Sequence, residues 1–255
     1  MQSELENRRT CIDRVIPWDL LEEARALAIA ENPDNALPSD AVTRPRLAMM
    51  RGKLWHPGRT LRVAFLDGSP RLRARVQEVA RQWTQHANLT FDFTGGPGAQ
   101  IRISFTADPG SSWSAVGVDC LTERYFPRHQ PTMSLGWLTD ATPDAELSRV
   151  VLHEFGHALG CGHEHQNPAG GIQWDVPAVL AYYGGAPNFW DEATVRFNIL
   201  DKYKADQLKG TRFDPDSIML YAFPPELTRN HVGTAHNQQL SAGDIAFISQ
   251  TYPTR

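Results

Sequence analysis

The feature that most constrains this chain is the run His153-Glu154-Phe155-Gly156-His157-Ala158-Leu159-Gly160-Cys161-Gly162-His163. On a helix, residues four apart share one face, with Cβ atoms roughly 5–6 Å apart. The imidazoles of His153 and His157 can then converge on one ion at Zn–N distances of about 2.0–2.1 Å. Glu154 flanks that ion without having to ligate it. The helix is expected to stop at Gly160, where a residue with a Cβ would resist positive φ. The turn can bring His163 back as a third ligand. Three protein ligands leave one corner for water, the mark of a catalytic rather than a structural zinc site.

The surrounding sequence supports a helix there. Thr142 can cap it, Pro143 suits its first position, and Asp144 and Glu146 suit the positive end of its dipole. Leu147, Val150, Val151, Phe155 and Ala158 give it apolar residues to bury. The plain alternative is a helix with two surface histidines and a chance glutamate. It leaves the helix context and the Gly160 turn unexplained.

Upstream, Leu61, Val63 and Phe65 alternate with Arg62 and Ala64 as in a half-buried strand. Ser69-Pro70 opens a helix whose inner face is Leu72, Val76, Val79, Ala80 and Trp83. Leu89–Thr94 and Ile101–Thr106 alternate as strands, and Ser112–Val118 and Thr132–Leu138 are weaker strand candidates. Beyond the motif the chain is loop-rich, with short helices near Val176–Tyr183 and Glu192–Leu200. A last helix opens at Ser241 with Asp244 as capping partner. The expected fold class is α/β (α+β), a mixed sheet with helices packed on it.

Residues 1–50 read as a separate N-terminal extension and 51–255 as the main domain. A helix over Pro17–Ala30 presents Leu20, Leu21, Ala24, Leu27 and Ala28 on one face. Pro33, Pro38 and Pro45 then mark an extended linker. The net charge of −4 gives no reason to expect nucleic acid or an anionic membrane as partner. No apolar run is long enough to span a bilayer, and the first twenty residues lack the apolar stretch of a secretory signal. The expectation is a cytoplasmic protein, one exported without a cleaved signal, or one whose signal was removed. Cys11, Cys120 and Cys161 are an odd set, expected to be mainly reduced, with one pair left open.

The 153–163 run resembles the extended zinc signature of the metzincin metalloproteases. Ser217-Ile218-Met219-Leu220-Tyr221 resembles their Met-turn, in its astacin form, and Glu164 is also astacin-like. The SWSAVG and TMSLGWL segments and the closing helix are similar to the rest of such a domain, so the resemblance spans roughly 59–253. It implies an upper half with a twisted mixed sheet and two long helices. It also implies a small irregular lower half ending in a C-terminal helix, with an extended peptide bound between the halves. It implies one catalytic Zn2+ on His153, His157 and His163, and Glu154 as the base that takes a proton from the attacking water. Met219 would be a floor beneath the histidines, and Tyr221 a donor to the oxyanion, with a packed aromatic as its plainer role. The family's paired cysteines are missing, His165-Gln166-Asn167-Pro168 replaces its Arg- and Asp-rich stretch, and Leu220 stands where histidine is usual.

The activity expected is that of a zinc metalloendopeptidase acting on protein or peptide as a monomer. Two alternatives are a zinc protein that binds peptide without cutting it and a narrow-specificity processing protease. His165 is expected to be a surface or outer-sphere histidine, and Cys161 filler. His56, His86, His129, His231 and His236 show no ligand spacing. Cys11 has two readings. The plainer one is a free thiol far from the metal. The other is a thiolate that fills the open corner and makes residues 1–50 an inhibitory propeptide.

Overall fold

The computed structural model describes residues 9–36, 51–96, 98–202 and 213–254. The part of the expected linker that carries Pro38 and Pro45 lies outside the described residues. Chain order begins with helix α1, Leu21–Glu31, entered through a short 3-10 turn at Trp18–Leu20. It continues through β1 (Thr60–Phe65), α2 (Pro70–Thr84), β2 (Thr90–Asp92), β3 (Ile101–Ser104), β4 (Ser112–Ser114) and β5 (Met133–Leu135). Helix α3, Asp144–Ala158, carries the motif. The lower half holds α4 (Val176–Gly184) and α5 (Glu192–Val195), the latter running into a π-helical stretch at Arg196–Leu200. Helix α6, Ala242–Thr251, closes the chain.

The sheet has five strands in the order β2-β1-β3-β5-β4. All neighbours are parallel except β4, which pairs antiparallel with β5 at the edge. The alternation in β3 suggested that Arg102 and Ser104 face water, yet every residue of the strand is buried. A central strand covered on both faces has no wet side. The Arg102 guanidinium is instead caged by the carbonyls of Ala99, Phe126, Pro127 and Gln130.

Helices α2 and α3 pack together on the sheet, with Leu72, Val76, Ala80 and Trp83 of α2 buried as expected. Trp83 Nε1 donates to Leu152 O at 2.9 Å. At the end of α3, Trp55 Nε1 reaches Ala158 O at 2.9 Å and the Tyr252 hydroxyl reaches Leu159 O at 2.7 Å. These donors satisfy carbonyls that a helix end leaves open. Gly160 follows at φ +95°, the left-handed turn the sequence requires. The start of α3 differs from expectation. Pro143 is the capping residue, and Thr142 Oγ1 accepts from Thr139 N instead.

A second apolar cluster forms the lower half around Trp174, Val179, Tyr183, Val195, Ile199 and Phe223. The N-terminal segment joins both halves. Ile16, Leu20 and Ala28 enter the upper core, and Cys11 enters the lower cluster. Asn35 Nδ2 donates to Leu54 O and Asn35 Oδ1 accepts from Leu54 N, at 2.8 and 2.9 Å. Among the described residues no helix is long and apolar enough to cross a membrane.

Candidate metal centre and cleft

Helix α3 places His153 and His157 on one face, and the turn at Gly160 returns His163 to them. The Nε2 atoms of His153 and His163 lie 3.1 and 3.0 Å from that of His157. His153 Nδ1 donates to Ile218 O at 2.8 Å, and His157 Nδ1 donates to Cys161 O at 2.9 Å. A carbonyl can only accept, so both Nδ1 atoms carry the proton and both Nε2 atoms present lone pairs. Burial, together with the neighbouring histidines, holds His153 well below the usual histidine range and His157 at about 4. Neutral imidazoles aiming lone pairs at one another repel unless a cation sits among them. A tetrahedral ion at about 2.0–2.1 Å would separate such nitrogens by roughly 3.3 Å. The donor set therefore fits zinc.

A fourth atom completes the group. Cys11 Sγ joins the three histidines, with all four ligand atoms within 4.8 Å of one another and all four residues buried. The plainer expectation, a thiol far from the metal, is overturned. The corner expected to be open is faced by a sulfur from the N-terminal segment, 142 residues before the first histidine in sequence terms. No local spacing signals that pairing; only the docking of residues 9–16 across the cleft creates it. All three cysteines are free and buried, as expected of reduced thiols.

Glu154 is 1% exposed, and its Oε2 accepts from the Cys11 thiol at 3.4 Å. Burial pushes its carboxyl up to about 8. A cation at the histidines would pull it back toward the charged form. Tyr221 is also buried, its ring 4.3 Å from that of His163. Its hydroxyl donates to the Cys11 carbonyl at 2.6 Å. His165 is not on the surface. It is 1% exposed, stacks on Tyr221 at 4.3 Å, and Nε2 donates to Asn198 O at 2.7 Å. Asp13 lies 3.4 Å from His163 Nδ1. Burial works against its charge, yet the His163 imidazole beside it holds the carboxyl below the usual range.

The loop beneath the histidines is pinned from the closing helix. Asp244 accepts from Ser217 Oγ at 2.7 Å, from Ile218 N at 2.8 Å and from Ser241 N at 3.0 Å. One carboxylate thus caps α6 and fixes the carbonyl that orients His153. Met219 packs against Gly156, where an added Cβ would collide with its sulfur. Glu164 accepts from Asp214 N at 3.0 Å and Asn167 Nδ2 at 2.9 Å, tying the segment after His163 to the same loop. Asp244→Ala is expected to cost about 2–4 kcal/mol, because buried donors lose a charged acceptor. Denaturant titration checks this, and an unchanged midpoint would uncouple the loop from the α6 cap.

A sequence model of the matrixin peptidases matches residues 67–170. The fold superposes on the structure of myroilysin with a TM-score of 0.77 and 39% sequence identity, covering 81% of this chain and 98% of that one. This chain belongs to the metzincin zinc metalloproteases. Among other metzincins, Tolloid-like protein 1 from Mus musculus is 25% identical over 262 residues, which covers 92% of this chain but only 23% of that protein. The chain therefore spans about a quarter of the length of that relative. The hatching-enzyme zinc-protease of Oryzias latipes shares the fold, with a TM-score of 0.51 at 16% identity. The expected mixed sheet, two long helices and small lower half are the metzincin architecture seen here.

Proposed function

We propose that this metzincin is an astacin-like zinc endopeptidase held latent by its own N-terminal segment. The observation that carries the reading is the convergence of three imidazole Nε2 atoms beside a buried glutamate. His153, His157 and His163 would hold one zinc ion. A zinc ion so held supplies Lewis acidity, polarising a peptide carbonyl and bringing the pKa of a bound water toward about 7. Glu154 flanks the site at a distance from which it can take the proton of the attacking water and return it to the leaving amine. Tyr221 already donates its hydroxyl to a peptide carbonyl, that of Cys11. The same donor would serve the oxyanion of a substrate. Ser217–Tyr221 would be the Met-turn, with Met219 as the apolar floor that keeps the three imidazoles in register.

Residues 1–50 would be the inhibitory propeptide. Cys11–Asp13 crosses the cleft as an extended peptide: Ile12 N donates to Ser112 O of the edge strand β4 at 3.1 Å, and Cys11 bridges Ser112 in parallel. Arg14 extends the grip by pairing with Asp108 at 2.9 Å and stacking over Trp113. Cys11 Sγ would take the corner that water needs. Since that sulfur belongs to a surface-docked segment, its departure restores a catalytic site. The deciding assay is casein digestion by the Cys11→Ala full chain. Hydrolysis is expected, lost with a zinc chelator and restored by added zinc. Undiminished hydrolysis in chelator would exclude a metal mechanism. Tight zinc binding with no cleavage of any protein would leave a peptide-binding protein instead.

A further inference from the structure

The cleft grips the N-terminal segment from two sides, and only one of them is the sheet. On the lower side, Asp13 N donates to Asn198 Oδ1 at 3.0 Å. Asn198 lies in the π-helical stretch Arg196–Leu200 and is 2% exposed. π-turns inside helices often mark functional sites, because they aim consecutive residues where a regular helix cannot. Here Asn198 and Ile199 are both buried. Two further bonds fix the residue: the side-chain Nδ2 of Asn198 donates to Thr194 O at 2.9 Å, and its backbone carbonyl accepts from His165 Nε2 at 2.7 Å. With donor and backbone committed, Oδ1 is a rigid acceptor aimed at the cleft. It is met there by the backbone amide of Asp13, in a segment that is not part of the cleft's own wall.

We infer that Asn198 reads the peptide backbone in this cleft, accepting an amide N–H from the propeptide now and from an extended substrate once that segment leaves. This rests on the endopeptidase reading above. A buried acceptor left without a donor is destabilising, so the vacated Oδ1 favours any ligand that offers an amide there. Side chains do not enter the contact, so the residue contributes affinity for extended backbone and not sequence preference. With the β4 carbonyl of Ser112 opposite, the two walls engage successive amides, those of Ile12 and Asp13.

The test uses the Cys11→Ala full chain and a cleavable peptide scanned by single backbone N-methylation. Because Asn198→Ala releases propeptide and substrate alike in this background, the readout is the methylation effect, expected at about 10-fold in KM, the scale of one hydrogen bond in a dry cleft, with kcat within about twofold. One methylated position should raise KM by that factor in the parent and have no effect in Asn198→Ala, a coupling that a merely loosened lower half would not produce. In the otherwise unaltered full chain, Asn198→Ala should also speed alkylation of Cys11, followed by peptide mass mapping, by roughly the same factor. A methylation penalty that survives intact in Asn198→Ala overturns the substrate contact while leaving the protease standing. An unchanged alkylation rate overturns the propeptide contact. Absence of chelator-sensitive cleavage by the Cys11→Ala chain overturns the endopeptidase reading, and the substrate contact with it.

Discussion

Glu154→Gln is expected to keep its zinc and lose peptide hydrolysis by about 10³-fold or more, the upper part of the range for a positioned general base. The substitution is nearly isosteric. It leaves His153, His157 and His163 untouched, with His153 and His157 still held through Ile218 O and Cys161 O. Glu154 is buried and touches Cys11 rather than a structural partner, so its loss should not unfold the helix. The comparison is made in the Cys11→Ala background, where turnover can be read. Zinc content by elemental analysis and kcat/KM on one fluorogenic peptide separate the two effects. A variant that loses metal and activity together would make Glu154 a support of the site; one that keeps both would remove it from the mechanism.

Cys11→Ala should raise the turnover of the full chain by about 10–100-fold. The apparent activity of a latent enzyme scales with the fraction of molecules in the open state. Removing a sulfur that would ligate the metal shifts that fraction by the corresponding factor. Activation is expected to be partial, because Ile12 with Ser112, Asp13 with Asn198 and Arg14 with Asp108 still hold the segment. Deletion of residues 1–50 should go further. The readout is peptide hydrolysis at fixed zinc, with mass spectrometry to count only molecules whose N-terminus is intact. Equal turnover of the Cys11→Ala and parent chains would show that the thiol does not shut the site.

Much of the upper half was legible because it is local. Ser69-Pro70 caps α2 as its chemistry demands, Ser241 and Asp244 form a capping box, and Gly160 takes the positive φ that ends α3. Each signal acts within one or two turns of chain. Other readings failed for tertiary reasons. Arg102 looked solvent-facing by alternation but is buried among carbonyls supplied by residues 24 to 28 positions away and by nearby Ala99. His165, expected at the surface or in the outer sphere, loses only the first of those readings: it is a buried member of the stack under Tyr221 and lies outside the ligand group. Asn198 carried no signal at all, being one polar residue between Phe197 and Ile199 in a short helix.

The motif alone determined that two imidazoles share a helical face, that a glutamate stands beside them and that a glycine turn follows, since helical periodicity and backbone sterics operate over a few residues. Tertiary structure decided which sulfur faces the fourth corner and which atoms hold the cleft's contents. Cys11, Ser112, Asn198 and Tyr221 come from four distant stretches of chain. Their meeting depends on how an extension, a sheet edge and a lower lobe pack together, and no periodicity within any one of them encodes it.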